Sequence, residues 1–200
     1  MEKNYRYILA SGSPRRKEIF SRLGFEYEVR VSDASEDHDI MSPDAIVEEL
    51  SLRKAKAVAA QCTAKDAGSI IIAADTLVAI YSKVLGKPAD RAQAKEMIKT
   101  ISGRAHQVYT GVTLIHVPSG KTATFSDRTD VHVRELSEAE IDEYVNSGEG
   151  DDKAGAYAIQ GEFGKYISSF EGSRDNVIGF PSELFMTELN KFKEELYYEQ

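Results

Sequence analysis

Ser11-Gly12-Ser13-Pro14-Arg15-Arg16 sets two arginines on the first turn of a helix that follows a short apolar segment. At such a place the backbone N–H groups and the helix dipole both favour an anion. Guanidinium forks grip phosphate oxygens in pairs, each charge-assisted bond contributing about 1.5–3 kcal/mol once water is excluded, so the spacing suits a polyphosphate. A capped helix with solvated arginines is the plain alternative. A Walker A loop is not, because Ile115 stands where the only Gly-Lys-Thr, Gly120-Lys121-Thr122, would need its first glycine. Asp75-Thr76 closes the most apolar run of the chain, and a carboxylate at the end of a strand either caps a turn or holds a divalent cation and orients a water. Lys54, on a helix, and Lys87, in Gly86-Lys87-Pro88, would add cations, and Asp33, Glu36, Asp37 and Asp39 form an acidic loop without EF-hand spacing.

Two glycine-rich stretches, Asp152 to Gly161 and Gly172 to Pro181, allow close backbone approach, and the Gln160 amide could read the edge of a base. Other chemistries lack their residues. His38, His106, His116 and His132 make no HExxH or zinc pattern, Cys62 has no CxxC partner, and neither GxSxG nor GxGxxG occurs.

The elements that must carry these residues alternate between strand and helix periods, the pattern of an α/β or mixed domain. A strand is expected at Tyr7 to Ala10, then a helix opened by Pro14 after a Ser13 cap and stopped at Gly24. A second strand is expected over Phe25 to Val31, then the acidic loop Ser32 to Asp39, then a helix from Ser42 and Pro43 with Ile46, Val47, Leu50, Ala55 and Val58 inward. Ser69 to Ala74 reads as a buried strand ending at Asp75, with a separate strand near Leu77 to Tyr81 and a helix from Asp90 to Ile101. His106 to Val117 and Lys121 to Val133 flank a Pro118-Ser119-Gly120 turn as a long hairpin. Ser137 and Glu140 form a capping box. Gly148 to Gly179 reads as a loop-rich wall rather than core, and a last helix starts at Pro181.

Two hundred residues suffice for a single domain over 1–200 that buries roughly two-thirds of its unfolded surface. Lys and Arg number 25 against 33 Asp and Glu, a net charge of −8 that argues against binding a nucleic-acid backbone while leaving room for one local basic pocket. One cysteine and a polar N-terminus imply a reducing, cytoplasmic setting, and no apolar run approaches the roughly 20 residues that span a bilayer.

Taken together, Leu9 to Arg16, Ala74-Asp75-Thr76, Lys87-Pro88, Asp152 to Tyr157 with Ile159-Gln160-Gly161, and Asn176-Val177 with Gly179 and Pro181 resemble the Maf family of nucleotide pyrophosphatases, in the family's order. The resemblance implies an elongated α/β fold, similar to that of inosine triphosphatases, with a central mixed sheet flanked by helices and a deep nucleotide cleft. It implies hydrolysis of a nucleoside triphosphate to monophosphate and pyrophosphate with Mg²⁺ or Mn²⁺, and a homodimer. Asp75 would be the proton acceptor, Asp75 and Glu36 the metal ligands, and Ser11, Arg15, Arg16, Lys54 and Lys87 the phosphate-binding set. Arg15, Thr76 and Gln160 look like the branch acting on dTTP and UTP, while Gly86 and Phe180 depart from its usual Glu and Leu. A non-catalytic nucleotide-binding regulator of septum formation, or a pyrophosphatase of the 7-methyl-GTP or inosine-triphosphate type, is the alternative.

Overall fold

The computed structural model describes residues 5–39 and 42–198. Its frame is one seven-stranded mixed sheet of order β2-β1-β3-β5-β6-β7, with β4 joined to β3. The strands are β1 (Arg6–Leu9), β2 (Tyr27–Val29), β3 (Ser69–Ile80), β4 (Lys83–Leu85), β5 (Ala105–His116), β6 (Thr122–Val133) and β7 (Ile167–Glu171). The helices are α1 (Pro14–Arg22), α2 (Pro43–Ala59), α3 (Arg91–Ile101), α4 (Glu138–Ser147), α5 (Arg174–Ile178) and α6 (Ser182–Tyr198). β1 runs parallel to both β2 and β3, and the remaining pairs are antiparallel. The mixed α/β architecture expected from the sequence is therefore present, as is the long β5–β6 hairpin.

β3 organises the molecule. Its residues alternate between faces. Ile71 and Ala73, then Leu77 and Ala79, pack under α2, whereas Ile70, Ile72, Ala74, Val78 and Ile80 join the larger core on the opposite face. That core includes Ile98 of α3, Ile141 of α4, and Phe185, Leu189 and Phe192 of α6, with Phe20, Phe180 and Phe185 in mutual ring contact. On the other face, α2 sits so close to β5 that a Cβ on Gly111 would lie 2.3 Å from the Val47 carbonyl oxygen. One turn along, the Ser51 and Thr113 hydroxyls meet at 2.9 Å in a buried contact.

Several expectations need correction. β3 does not end at Asp75: it continues to Ile80, because β5 pairs with it without interruption from Ile70 to Ala79. The polar pair interrupts the apolar pattern but not the hydrogen-bond ladder. The strand expected over Phe25 to Val31 shrinks to three residues at a sheet edge, with Val29 and Val31 exposed. Ser13 occupies the N-cap position of α1 but makes no capping bond, the nearby hydroxyl bond being donated by Ser13 N to Ser11 Oγ at 3.2 Å. The segment Gly148 to Gly179 is no mere wall. Tyr157, Phe163, Tyr166 and Ile178 enter the main core, and α5 forms within it. The Ser137–Glu140 capping box and the left-handed Gly148 stop of α4 are both in place.

Candidate active site

The site arises from a break in the pairing of β3. On one edge the strand has β5 as a continuous partner. On the other, β1 pairs only as far as Ile72, and β4 takes over only at Val78. Between them lies a gap opposite Ala73 to Leu77, where β1 has turned away into α1. Asp75 and Thr76 sit in this gap, and period-two alternation sends their side chains to opposite faces.

A cavity of about 720 Å³ opens there. At its polar end are Arg15, Arg16, Glu36, Lys54, Asp75, Thr76 and Lys87. Asp75, only 9% exposed, accepts a bond from Lys54 Nζ at 2.5 Å, and the same ammonium donates to Glu36 Oε1 at 2.7 Å. Lys54 therefore ties the acidic loop to β3. The Lys54 bond holds the Glu36 carboxyl below its ordinary range, with Lys87 and Arg16 adding to the effect.

On the opposite face, Arg16 donates from Nε to Gly179 O at 2.8 Å, from Nη1 to Ser11 Oγ at 3.3 Å and from Nη2 to Thr76 Oγ1 at 3.0 Å. Thr76 Oγ1 also lies 3.0 Å from Thr110 Oγ1, whose hydroxyl donates to Asn176 O at 3.1 Å. All three acceptors of Arg16 are neutral, and among the described residues no carboxylate makes an ion pair with it. Burial pushes the guanidinium below its ordinary value and the Asp75 charge pushes it back up, yet an arginine so placed stays charged. A half-buried cation with only dipolar partners attracts an anion.

Of the residues singled out in the sequence, seven thus line one cavity and two do not. Ser11 is buried behind it, where it supports the loop and Arg16. Gln160 is exposed on the turn after Ile159; Ile159 lines the cavity and Gln160 does not. His38, Asp152, Lys153 and Tyr157 line it as well and were given no role from sequence. The Asp152–Lys153 ion pair could have been suspected from its motif, whereas nothing local marks Tyr157 as a wall residue.

Among the described residues, no group of three or more His, Cys, Asp or Glu could hold a metal unaided. Two carboxylates converging on one ammonium do fit a hard divalent cation that takes its other ligands from water and phosphate oxygens, as Mg²⁺ commonly does.

A mixed α/β sheet broken at a buried carboxylate, with cations on both faces of the break, defines a cleft protein for polyanionic ligands. The chain belongs to the Maf family: the family model described as Maf-like protein matches residues 6–192. A protein of Bacillus anthracis named dTTP/UTP pyrophosphatase is 45% identical over 186 residues, 92% of this chain and 94% of that protein. One of Bacillus cereus with the same name is 43% identical over 192 residues, 96% of this chain and 92% of that protein. Among solved structures, the Staphylococcus aureus Ham1 protein aligns over 98% of this chain and 100% of its own, with a TM-score of 0.47 and 17% identity.

Proposed function

We propose that this protein is a nucleoside triphosphate pyrophosphatase that cleaves dTTP and UTP between the α- and β-phosphates, releasing the monophosphate and pyrophosphate. The names of its relatives support this substrate class. The observation that carries it is the buried Asp75 carboxylate, held by Lys54 in the strand gap with Arg15, Arg16 and Lys87 around it.

In this reading Asp75 takes a proton from the water whose oxygen attacks the α-phosphorus. The bond from that phosphorus to the bridging oxygen breaks, and the pyrophosphate leaves with the electron pair. Arg15, Arg16, Lys54 and Lys87 offset the charge that builds on it, Arg16 without having to shed a carboxylate first. Ser11 serves indirectly, by fixing Arg16. Asp75 and Glu36 would hold Mg²⁺ or Mn²⁺, which when bound neutralises and orients the phosphates. Arg15 and Thr76 act on substrate choice from inside the cavity, and Gln160, exposed next to the cavity residue Ile159, is given the same role. A cytoplasmic setting belongs to the same reading, supported by the single cysteine.

The test is a panel of dTTP, UTP, CTP, 7-methyl-GTP and dITP with each metal, resolving pyrophosphate from orthophosphate. Pyrophosphate from dTTP and UTP, lost in Asp75→Asn, is the expected result. Hydrolysis confined to another nucleotide overturns the substrate, and tight binding without turnover under either metal replaces the enzyme with a nucleotide-responsive regulator. A Gln160→Ala variant with an unchanged ratio of kcat/KM for dTTP over the other nucleotides would remove Gln160 from substrate choice.

A further inference from the structure

Part of the cavity wall is apolar: Val78, Leu85, Val108, Ile159 and Val177 line it with Tyr157, and all six belong to the main core cluster. Among the described residues of this wall Tyr157 supplies the one phenol ring. Two contacts hold it. The Phe163 ring lies 4.8 Å away centroid to centroid, and the His106 imidazole meets it edge-on at 5.2 Å and 83°. The Tyr157 hydroxyl is 2.8 Å from His106 Nε2.

His106 is fully buried on β5 and shares a face with Val108, two residues on, which itself lines the cavity. Among the described residues its Nδ1 has no hydrogen-bond partner. Burial drives the imidazole down to about 4, so at neutral pH it carries a single N–H. Either tautomer joins Nε2 to the Tyr157 oxygen: the imidazole donates from Nε2, or the phenol O–H donates to it. The phenol's polar end is thereby held from behind by a buried side chain, which leaves its ring for whatever packs on the apolar wall. If the cationic end takes a triphosphate, the planar group attached to it is a nucleobase.

We infer that His106 is a positioning residue for the nucleobase: by anchoring the Tyr157 hydroxyl it sets the ring against which the base packs, and so governs nucleotide affinity without touching substrate. This rests on the function proposed above and extends it to a residue 51 positions from its partner.

The experiment compares wild type, His106→Leu, His106→Gln and Tyr157→Phe. It measures dTTP binding by calorimetry, kcat and KM for dTTP, and competition by inorganic tripolyphosphate, which has no base. His106→Leu and Tyr157→Phe should each weaken dTTP binding and raise KM by about tenfold, the scale of one aromatic contact. In both, kcat and tripolyphosphate affinity should stay within about twofold of wild type. His106→Gln, whose amide can still donate to the phenol oxygen or accept from its O–H, should recover most of the loss. The double variant should be no worse than either single one, since both break the same contact.

Unchanged dTTP binding in Tyr157→Phe, or a parallel loss of tripolyphosphate affinity, overturns the inference. Should His106→Leu fail to fold, Tyr157→Phe decides alone, because it removes one oxygen and keeps the ring. Should the wild type hydrolyse no nucleotide, the proposed function falls, while the ratio of dTTP to tripolyphosphate binding across the variants still decides this inference.

Discussion

Adding one methyl group at Gly111, which is remote in sequence from every charged residue of the site, should damage both stability and turnover. Gly111 pairs with Asp75 in the β3–β5 register, and α2 rests directly on it. The Cβ of an alanine there would lie 2.3 Å from the Val47 carbonyl oxygen, 2.4 Å from its carbon and 2.7 Å from Glu48 N. All three are backbone atoms, so no side chain can rotate out of the way. α2 must lift by about 1 Å, and overpacking of this kind costs about 1–3 kcal/mol. For a chain of this size each kcal/mol lowers Tm by about 2–4 °C, so Gly111→Ala should lose about 2–12 °C. Lys54 lies two turns beyond Val47, and a displacement of about 1 Å at a group that positions a reacting carboxylate costs about 10²-fold in rate. Calorimetry and pyrophosphate release from dTTP measure the two effects separately. Thr113→Val is the control: it removes the Ser51 contact without adding bulk, leaves the Ser51 hydroxyl its bond to Glu48 O, and should cost about 1 kcal/mol with kcat intact. A Gly111→Ala protein with wild-type Tm and wild-type rate would refute the seating of α2 on β5 as the device that places Lys54.

Thr76→Val removes one of the three neutral acceptors of Arg16 and should raise KM for dTTP by about tenfold, at the scale of a charged hydrogen bond, and an unchanged KM would detach Arg16 from the substrate. Chelation with EDTA should abolish turnover yet leave Tm unchanged, since among the described residues none form a metal site independent of substrate; a large fall in Tm would point to a structural ion instead. His106 makes stability fall as pH drops: the unfolded imidazole takes its proton near 6.5 and the folded one only near 4, so between these values the unfolded chain binds the extra proton. The loss across that window should reach about 3 kcal/mol and vanish in His106→Gln, read as the difference between the two proteins in urea unfolding at pH 7 and pH 4.5.

Much of the frame was legible because local signals agreed with the tertiary outcome. The β5–β6 hairpin follows from two alternating runs around Pro118-Ser119-Gly120, and α4 follows from its capping box and Gly148 stop. Asp75 was legible as a candidate site carboxylate, and the structure brings it into a cavity with the cations expected beside it, but its place in mid-strand was not legible. Apolar periodicity reports burial, whereas the strand is continued by its ladder to β5, which Asp75 and Thr76 join through backbone groups alone. Core membership of Tyr157, Phe163 and Tyr166 was hidden because the glycines before and between them read as loop, when one of these, Gly155 at φ +71°, serves to bring the chain against Val78. The contacts of Arg16 with Thr76 and Gly179 and of Tyr157 with His106 span 51 to 163 positions, and no single-sequence pattern encodes pairs so far apart.

The two faces of the β3 gap explain how a chain of net charge −8 can receive a polyanion. Surface acids act through solvent and are screened within about 10 Å, so the bulk charge matters little inside a cleft. What matters is which cations folding has left unneutralised. Lys54 is already committed to two carboxylates, and its attraction for a phosphate is offset by the pairs it would have to loosen. Arg16 is the reverse: folding has withdrawn it in part from water and supplied a carbonyl and two hydroxyls, enough to hold its geometry but not to cancel its charge. An arriving phosphate meets an oriented cation whose desolvation has been borne in part in advance, which is the condition under which charge-assisted bonds contribute most. On the proposed function Arg16 therefore serves polyphosphate affinity as well as the charge that builds on the leaving group, whereas Asp75 serves the chemistry alone, so Asp75 substitutions should fall on kcat and those that disturb Arg16 on KM as well.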